Sequence, residues 1–168
     1  MCLDKSFNNV HMHDMSKLVN LSSLEIARDA AQNCVCFHVR KLSRRITRAY
    51  DSALGDTGLK ITQFTMLAAV VASGEGLSLT DLADRLGMDR STFSRNLAPL
   101  VKRGLVEHAD TLKGRRRNVR ATDAGHMLFI AAAPAWQGAQ DRLRRQLNEA
   151  GLTEFLTDLR AVADAIKQ

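Results

Sequence analysis

Hydrophobic residues recur with a helical period along most of the chain. Between Cys34 and Leu54 the apolar positions are three or four residues apart, the spacing of coiled coils, and they are Val35, Val39, Leu42, Ile46, Ala49 and Ala53. The helix breaker Asp56-Thr57-Gly58 follows. Residues 61–72 are almost wholly apolar, which predicts a short core helix that ends at Ser73-Gly74.

Two further helices are predicted on either side of a tight turn. Ser78 followed by Asp81 resembles a capping box, which predicts a short helix that ends at Gly87. Asp89 is placed to cap the next helix. The apolar positions of that helix fall on one face and are Phe93, Leu97, Leu100 and Val101. Its other face is polar and basic, with Arg90, Ser91, Thr92, Ser94, Arg95 and Asn96.

A hairpin and two long helices complete the predicted elements. Residues 105–109 and 117–121 have the composition of short strands, and the basic loop at 110–116 joins them. Thr122-Asp123 is expected to cap a long helix that reaches about Leu147 and is interrupted at Pro134. The last helix has one apolar face, formed by Leu152, Phe155, Leu156, Leu159, Val162, Ala163 and Ile166. The predicted fold is mainly α with a small β wing.

Composition limits the class of protein. The chain has 168 residues, of which 45% are hydrophobic and 25% charged, as expected for one globular domain with an extension. Its longest apolar runs, 66–72 and 127–136, are far shorter than the roughly 18 residues that a membrane span needs, so no membrane partner is expected. The N-terminus has no apolar segment of signal-peptide length. The three cysteines are therefore expected to be reduced thiols in the cytoplasm.

The positive charge is concentrated in one part of the chain. The formal net charge is +6, and residues 85–120 carry ten basic and three acidic side chains, whereas the segments on either side are close to neutral. A concentrated positive patch is typical of a protein that binds a polyanion, with nucleic acid the first candidate. A solvated basic face is the alternative.

The order of the predicted elements is that of a winged helix-turn-helix: short helix, tight turn, polar-faced helix and basic hairpin. A recognition helix needs an apolar face toward its scaffold and a face of Arg, Ser, Thr and Asn toward the base edges of the major groove. An Arg-rich hairpin tip suits the adjacent minor groove. The candidate DNA contacts are therefore Ser78, Thr80, Arg90, Ser91, Thr92, Ser94, Arg95, Asn96, Lys113, Arg115, Arg116 and Arg117. A protein-interaction or chromosome-architectural module is the alternative function.

From about Cys36 onward the sequence resembles the MarR family of bacterial transcriptional regulators. The similar stretches are GLKITQFTMLAAV at 58–70, LTDLADRLGMDRSTFSRNLAPLVKRGLV at 79–106 and NVRATDAG at 118–125. The resemblance implies a homodimer with interlocked N- and C-terminal helices, bound to the two half-sites of a pseudo-palindromic double-stranded DNA operator. The expected organisation is a loose arm or short helix at 1–24, dimerisation helices at 25–57 and 122–168, and the DNA-binding domain at 58–121.

The wing departs from the family pattern at one position. The family usually has Asp-x-Arg there, with the aspartate holding the arginine in place, and this sequence has Lys113-Gly114-Arg115. Arg115 matches the arginine, but its partner is absent. Asp110 is one substitute, and a phosphate contact by Lys113 is another. The wing as a whole is therefore a firmer candidate for DNA contact than Arg115 alone.

Two cysteines near the start of the first long helix are candidate redox sensors. A thiol in the first turn of a helix feels the positive end of the helix dipole, and Arg40 follows Cys36 by one turn. The stretch from Cys36 resembles the peroxide-sensing branch of the MarR family, which implies that Cys36 is oxidised and that Tyr50 hydrogen-bonds it. The nearer tyrosine of that branch is replaced by Arg40. Cys34 is the second candidate thiol.

Two other interpretations of these thiols stay open. A free cysteine often behaves as a small buried hydrophobe. Cys34, Cys36 and His38 are also suitable metal ligands together with His11 and His13, although a helix scatters residues at this spacing. No metal site is predicted.

The commoner signal in the family is a small, often aromatic, anionic effector. His38, Arg40, Arg44 and Trp136 are the candidate residues for binding it. The alternative is that Trp136 lies in the core and the arginines on a solvated face. The chain has no Gly-rich phosphate loop, Gly-x-Ser-x-Gly or His-Glu-x-x-His, so neither enzyme activity nor a cofactor is expected. The expected function is sequence-specific transcriptional regulation, with repression the expected sign.

Overall fold

The computed structural model describes residues 23–74, 77–109 and 118–166. The helices are α1 (Ser23–Asn33), α2 (Val35–Leu54), α3 (Ile61–Ala72), α4 (Leu79–Arg85), α5 (Arg90–Lys102) and α6 (Asp123–Ala165). The strands are β1 (Leu77–Ser78), β2 (Val106–Ala109) and β3 (Asn118–Ala121). A single 3₁₀ turn, Gly55–Thr57, follows α2. The mainly helical fold with a small sheet is confirmed, as is the position of each predicted helix from α2 to α5.

The chain forms two compact units that divide between Arg45 and Ile46, within α2. The second unit contains the hydrophobic core. Helix α3 buries Phe64, Met66, Leu67 and Val70. Helix α5 packs against α3, and α4 packs against α5, so that their apolar faces join one core. The largest fully buried side chains are Phe93, Leu54, Leu59, Met66, Leu67, Leu82, Leu97, Leu100, Val70, Val106 and Val119.

The sheet has three antiparallel strands in the order β1-β3-β2. Strand β3 pairs with β2 over four residues, from Val106 opposite Ala121 to Ala109 opposite Asn118. Strand β1 was not predicted, because two residues are too few to show an alternating pattern. It pairs Leu77 with Val119, so the wing is joined to the start of α4.

The turn between α4 and α5 requires a glycine. Gly87 has φ +62°, in the left-handed region that side chains with a Cβ rarely adopt. The amide of Met88 then donates to the Ala83 carbonyl at 2.9 Å, which closes the end of α4. The turn places Asp89 at the N-cap of α5, as predicted.

Helix α6 begins at a tight junction with the end of α5. The Thr122 side chain accepts a hydrogen bond from the Gly125 amide at 3.1 Å, as predicted for a helix cap. A Cβ on Gly125 would lie 2.0 Å from the carbonyl oxygen of Leu105. The Thr-x-x-Gly sequence therefore allows the first turn of α6 to pack directly on the backbone that follows α5.

The predicted interruption at Pro134 is wrong. Helical geometry continues through Pro134. The break in α6 lies at Asn148, with φ 55° and ψ 172°, which agrees with the predicted end of the long helix at about Leu147. Asn148 Oδ1 accepts a hydrogen bond from the Gly151 amide at 2.9 Å, so this side chain caps the segment that follows. Proline removes one donor from a helix without ending it here, whereas asparagine supplies both a tolerated positive φ and a new cap.

Several apolar side chains at the two ends of the chain are exposed. In α1, which has an apolar face of its own, no residue is buried. The predicted stripe of α2 exposes Val35, Val39 and Leu42. The last part of α6 exposes Leu156, Leu159 and Val162, and Ile166, which follows the helix, is 74% exposed. In the part of the chain that is described, no helix is long and apolar enough to span a membrane.

Candidate nucleic-acid interface

The N-terminus of α5 is fixed by its capping residue. Asp89 Oδ1 accepts hydrogen bonds from the Ser91 hydroxyl at 2.6 Å and from the Thr92 amide at 2.8 Å. The side-chain hydrogen bond from Ser91 and then those from Thr92 hold the pKa of Asp89 well below its ordinary value. The first turn of α5 is therefore capped by an ionised carboxylate at neutral pH.

Helix α5 has two chemically opposite faces. Phe93, Leu97 and Leu100 are buried, as predicted. Five of the six candidate contacts on the other face are exposed, namely Arg90, Ser91, Ser94, Arg95 and Asn96, and Thr92 is partly exposed. The Arg95 guanidinium donates to the Thr92 hydroxyl at 3.2 Å, which holds it along the helix surface. The structure therefore brings these six side chains together on one exposed surface.

The two candidates from α4 differ in their surroundings. Thr80 is exposed on the first turn of the helix. Ser78 is only 7% exposed, and its hydroxyl donates to Asp81 Oδ2 at 2.7 Å and accepts from the Asp81 amide at 3.2 Å. The Ser78 hydroxyl therefore caps α4, and Thr80 is the exposed one of these two candidates.

The candidates in the wing, Lys113, Arg115, Arg116 and Arg117, lie outside the described residues. The base of the wing is described, and it contains a pair that the sequence did not reveal. Arg120 Nε donates to Glu107 Oε1 at 2.7 Å, and the two residues stand directly opposite each other on β3 and β2. Such cross-strand pairs hold neighbouring strands in register.

A second unpredicted contact joins the end of α5 to the loop before α3. The Arg103 Nη1 group donates to the Gly58 carbonyl at 2.9 Å. Arg103 was not among the candidate DNA contacts, and its guanidinium is used within the protein. A contact across 45 residues of sequence leaves no periodic signal from which it could have been predicted.

The candidate thiols and their predicted tyrosine partner have separate surroundings. Cys36 is exposed in the first turn of α2, and Cys34 is half-buried between α1 and α2. Tyr50 is buried in the second unit, where its hydroxyl donates to Gln140 Oε1 at 2.8 Å. Burial raises the pKa of Tyr50, and the nearby Arg142 and Arg144 offset part of this effect. Within one chain, the Tyr50 hydroxyl therefore already has a partner other than a thiol.

The effector candidates also divide between the two units. Arg40 and Arg44 are exposed on α2, and the His38 Nε2–H donates to the Gln32 carbonyl at 2.8 Å. In the second unit, Trp136 stacks on Phe64 with ring centroids 5.8 Å apart, and Phe64 stacks on Phe129 at 5.1 Å. Trp136 is thus part of an aromatic stack against the core.

Among the described residues no group of three or more His, Cys, Asp and Glu side chains is placed to hold a metal ion. His11 and His13, the other metal ligands considered from the sequence, lie outside that part of the chain.

A capped recognition-type helix with an exposed basic face, followed by a small antiparallel wing, defines a winged helix-turn-helix protein. The model of the MarR family matches residues 57–117. The transcriptional regulator MosR of M. tuberculosis is 30% identical, with a TM-score of 0.69, and the match covers 81% of this chain and 99% of MosR. The chain belongs to the MarR family and is a transcriptional regulator.

Two further solved structures show the same fold. MosR in complex with DNA is 28% identical, with a TM-score of 0.69 over 81% of this chain and 100% of that one. The regulator PcaV from Streptomyces coelicolor, in complex with its natural ligand, is 23% identical, with a TM-score of 0.73 over 82% of this chain and 96% of PcaV. No curated protein sequence matches the chain significantly.

Proposed function

We propose that the protein binds double-stranded DNA in a sequence-specific manner, with α5 as the recognition helix in the major groove. The observation that carries this proposal is the division of α5 into a face locked to the core by Phe93, Leu97 and Leu100 and an opposite face of exposed hydrogen-bond donors. Arg95 and Asn96 are the side chains best suited to base edges, because Arg pairs with guanine and Asn with adenine. Arg90, Ser91, Thr92, Ser94 and Thr80 supply further contacts to bases or phosphates.

The wing provides the second group of contacts. Lys113, Arg115, Arg116 and Arg117 add four cations to the loop between β2 and β3. The Glu107–Arg120 pair ties the two strands together at the base of this loop. Cations of this kind bind phosphates or a narrow minor groove and contribute affinity with little base preference. A DNA complex of MosR supports this partner class.

The proposed binding form is a homodimer on a pseudo-palindromic operator. Each unit leaves apolar side chains uncovered in the single chain, the first unit on α1 and α2 and the second unit at the end of α6. A two-fold interface buries the same patch on both copies and sets two recognition helices on successive half-sites. Such a regulator works in the bacterial cytoplasm, and we assign it no catalytic role or cofactor.

Release from DNA is proposed to follow binding of a small anionic or aromatic effector, or oxidation of a thiol. His38, Arg40, Arg44 and Trp136 remain the residues proposed for an effector. Cys36 is the exposed thiol of the two described cysteines, which makes it the more accessible to an oxidant, with Cys34 as its neighbour. Tyr50 stays the tyrosine proposed for the redox site, and in the single chain its hydroxyl donates to Gln140.

The proposal is tested by fluorescence polarisation with the DNA upstream of the protein's own gene, in competition with random duplex. A specific regulator prefers its operator by about 1,000-fold or more. A chromosome-architectural module, the alternative function, binds both duplexes with similar affinity. Repeating the titration after hydroperoxide and then after reductant separates a thiol switch, in which binding is lost and then restored, from control by an effector alone.

A further inference from the structure

We infer that the basic face of α2 binds a phosphorylated ligand that carries a planar ring. This face is defined here as Phe37, Arg40, Lys41, Arg44 and Arg45, all within the first unit. The inference rests on the proposed control by an effector and names the chemical class of that effector.

The two faces of α2 differ in chemistry. At 100° per residue, the four cations fall within an arc of about 140°, whereas Val35, Val39 and Leu42 fall within about 60° on the opposite side. The second copy of the chain is proposed to cover the apolar side. The basic face then stays exposed to solvent, where a ligand can reach it.

Between residues 35 and 45, Phe37 is the one large apolar residue that lies outside the stripe of Val35, Val39 and Leu42. Its position on the helix lies between those of Arg44 and Lys41, about 140° or more from the stripe. Phe37 is 42% exposed. Packing within the first unit therefore does not account for a phenylalanine here, whereas an aromatic platform for a planar ligand does.

The ring of Phe37 is held by two neighbouring side chains of α2. The edge of the His38 ring meets Phe37 with centroids 5.3 Å apart at 90°. His38 is itself fixed by its hydrogen bond to the Gln32 carbonyl. Lys41 Nζ lies 5.7 Å from the centroid of Phe37, within range of a cation–π interaction. An ordered ring loses less entropy when a ligand stacks on it.

The cations on this face are available to a ligand. Arg40, Lys41, Arg44 and Arg45 are exposed, and no ion pair within residues 23–74, 77–109 and 118–166 includes any of them. The helix contains no acidic residue before Asp51. The three guanidinium groups and one ammonium group carry four positive charges, and a single carboxylate neutralises only one of them. The planar guanidinium group of arginine also matches the geometry of phosphate oxygens.

The experiment is isothermal titration calorimetry of the chain in the absence of DNA. The probes are ATP, inorganic triphosphate and benzoate, all at the same ionic strength. ATP is expected to bind, and benzoate to bind at least about ten-fold more weakly. Phe37→Leu is expected to reduce the ratio of ATP to triphosphate affinity by about five-fold or more, because only ATP carries a ring that can stack. The double variant Arg40→Gln/Arg44→Gln is expected to weaken both phosphorylated probes by about ten-fold.

Arg160→Gln is the matched control, because Arg160 is an exposed cation on another helix. It should leave all three affinities unchanged, and thermal melting with sedimentation confirms that each variant is folded and in the same oligomeric state. Equal ATP-to-triphosphate ratios in the native chain and Phe37→Leu would overturn the inference. So would α2 variants that weaken binding to random duplex while ATP binding is unaffected, since the cations would then contact DNA.

The two proposals fail separately. Operator binding is measured by polarisation without ATP, so its loss or absence reports on the DNA-binding proposal alone. If operator binding is normal and ATP does not bind, only the proposal of a phosphorylated ligand is rejected.

Discussion

The Thr122 hydroxyl donates to the carbonyl of Gly104 at 2.6 Å. The same residue caps α6 through the Gly125 amide, and its own amide donates to the Leu105 carbonyl at 3.1 Å. One residue therefore connects the backbone that follows α5 to the start of the long helix α6. The position of α5 relative to α6 depends on this junction.

Replacing Thr122 by Val is expected to lower the free energy of unfolding by about 1–2 kcal/mol, because the cap and the bond to Gly104 are both removed. Urea unfolding measures the change. Thr157→Val removes a hydroxyl that bonds only its own helix, at the Thr153 carbonyl, and should change stability by less than about 0.5 kcal/mol. Equal effects of the two substitutions would show that the junction adds nothing beyond an ordinary helical hydroxyl.

Gly125→Ala is expected to destabilise the protein by about 3 kcal/mol, because the new Cβ would lie 2.0 Å from the Leu105 carbonyl oxygen and the backbone must shift. Gly138 lies in the same helix, and a methyl group there would meet no atom within 4 Å, so Gly138→Ala is the control. That control should stabilise the helix by about 0.5–1 kcal/mol. A neutral Gly125→Ala variant would rule out the close packing at this junction.

The cap of α5 predicts a pH dependence of stability. The folded pKa of Asp89 lies below its ordinary value of 3.8, so its ionised form stabilises the fold above about pH 4. This contribution to stability is lost as the pH falls through the folded pKa, because Asp89 is then protonated in the folded chain as well as in the unfolded chain. Asp89→Asn keeps a capping side chain but does not titrate. The stability difference between the native chain and Asp89→Asn should therefore shrink below about pH 4, as measured by urea unfolding from pH 7 to 3.

Substitutions in the wing are expected to weaken DNA binding without changing base preference. Lys113→Ala or Arg115→Ala removes one cation from a phosphate, which lowers affinity for operator and random duplex alike. The slope of log affinity against log salt should flatten by about 0.9 for each cation removed. Polarisation titrations at four salt concentrations give this slope. A change in base preference with an unchanged slope would instead place these side chains at base edges.

Cys36→Ser is expected to abolish release from operator DNA by hydroperoxide, because serine cannot form a sulfenic acid or a disulfide. Cys34→Ser is the matched variant two residues away and should retain release if Cys36 alone is the sensor. Polarisation before and after peroxide measures both. Continued release from Cys36→Ser would remove this thiol from the mechanism and direct attention to Cys34 or to the effector.

The sequence predicted best those features that depend on neighbouring residues. The caps at Asp89 and Thr122 and the buried face of α5 follow from local hydrogen bonding and helical period, and all three are found in the structure. The role of Ser78 as a cap was also visible, but its burial was not, because exposure depends on what packs around β1 and α4.

Features that join distant parts of the chain could not be predicted. Tyr50 and Gln140 are 90 residues apart, and nothing in the local pattern pairs them. The break near Leu147 was predicted, whereas the continuation of α6 through Pro134 runs against the local preference of proline. The place of Phe37 among the cations of α2 follows from the helical period, but its exposure and its contacts with His38 and Lys41 come from the structure.

The most direct test of α5 as the recognition helix is a base-by-base profile of the operator with Arg95→Ala. Every position of a half-site is substituted in turn, and the affinity of the native chain and of the variant is measured for each duplex. The variant is expected to lose preference at one position, worth about 1–3 kcal/mol, and to keep it elsewhere, while Arg160→Ala leaves the whole profile unchanged. A uniform loss of affinity with every preference intact would contradict the assignment of Arg95 and α5 to base recognition.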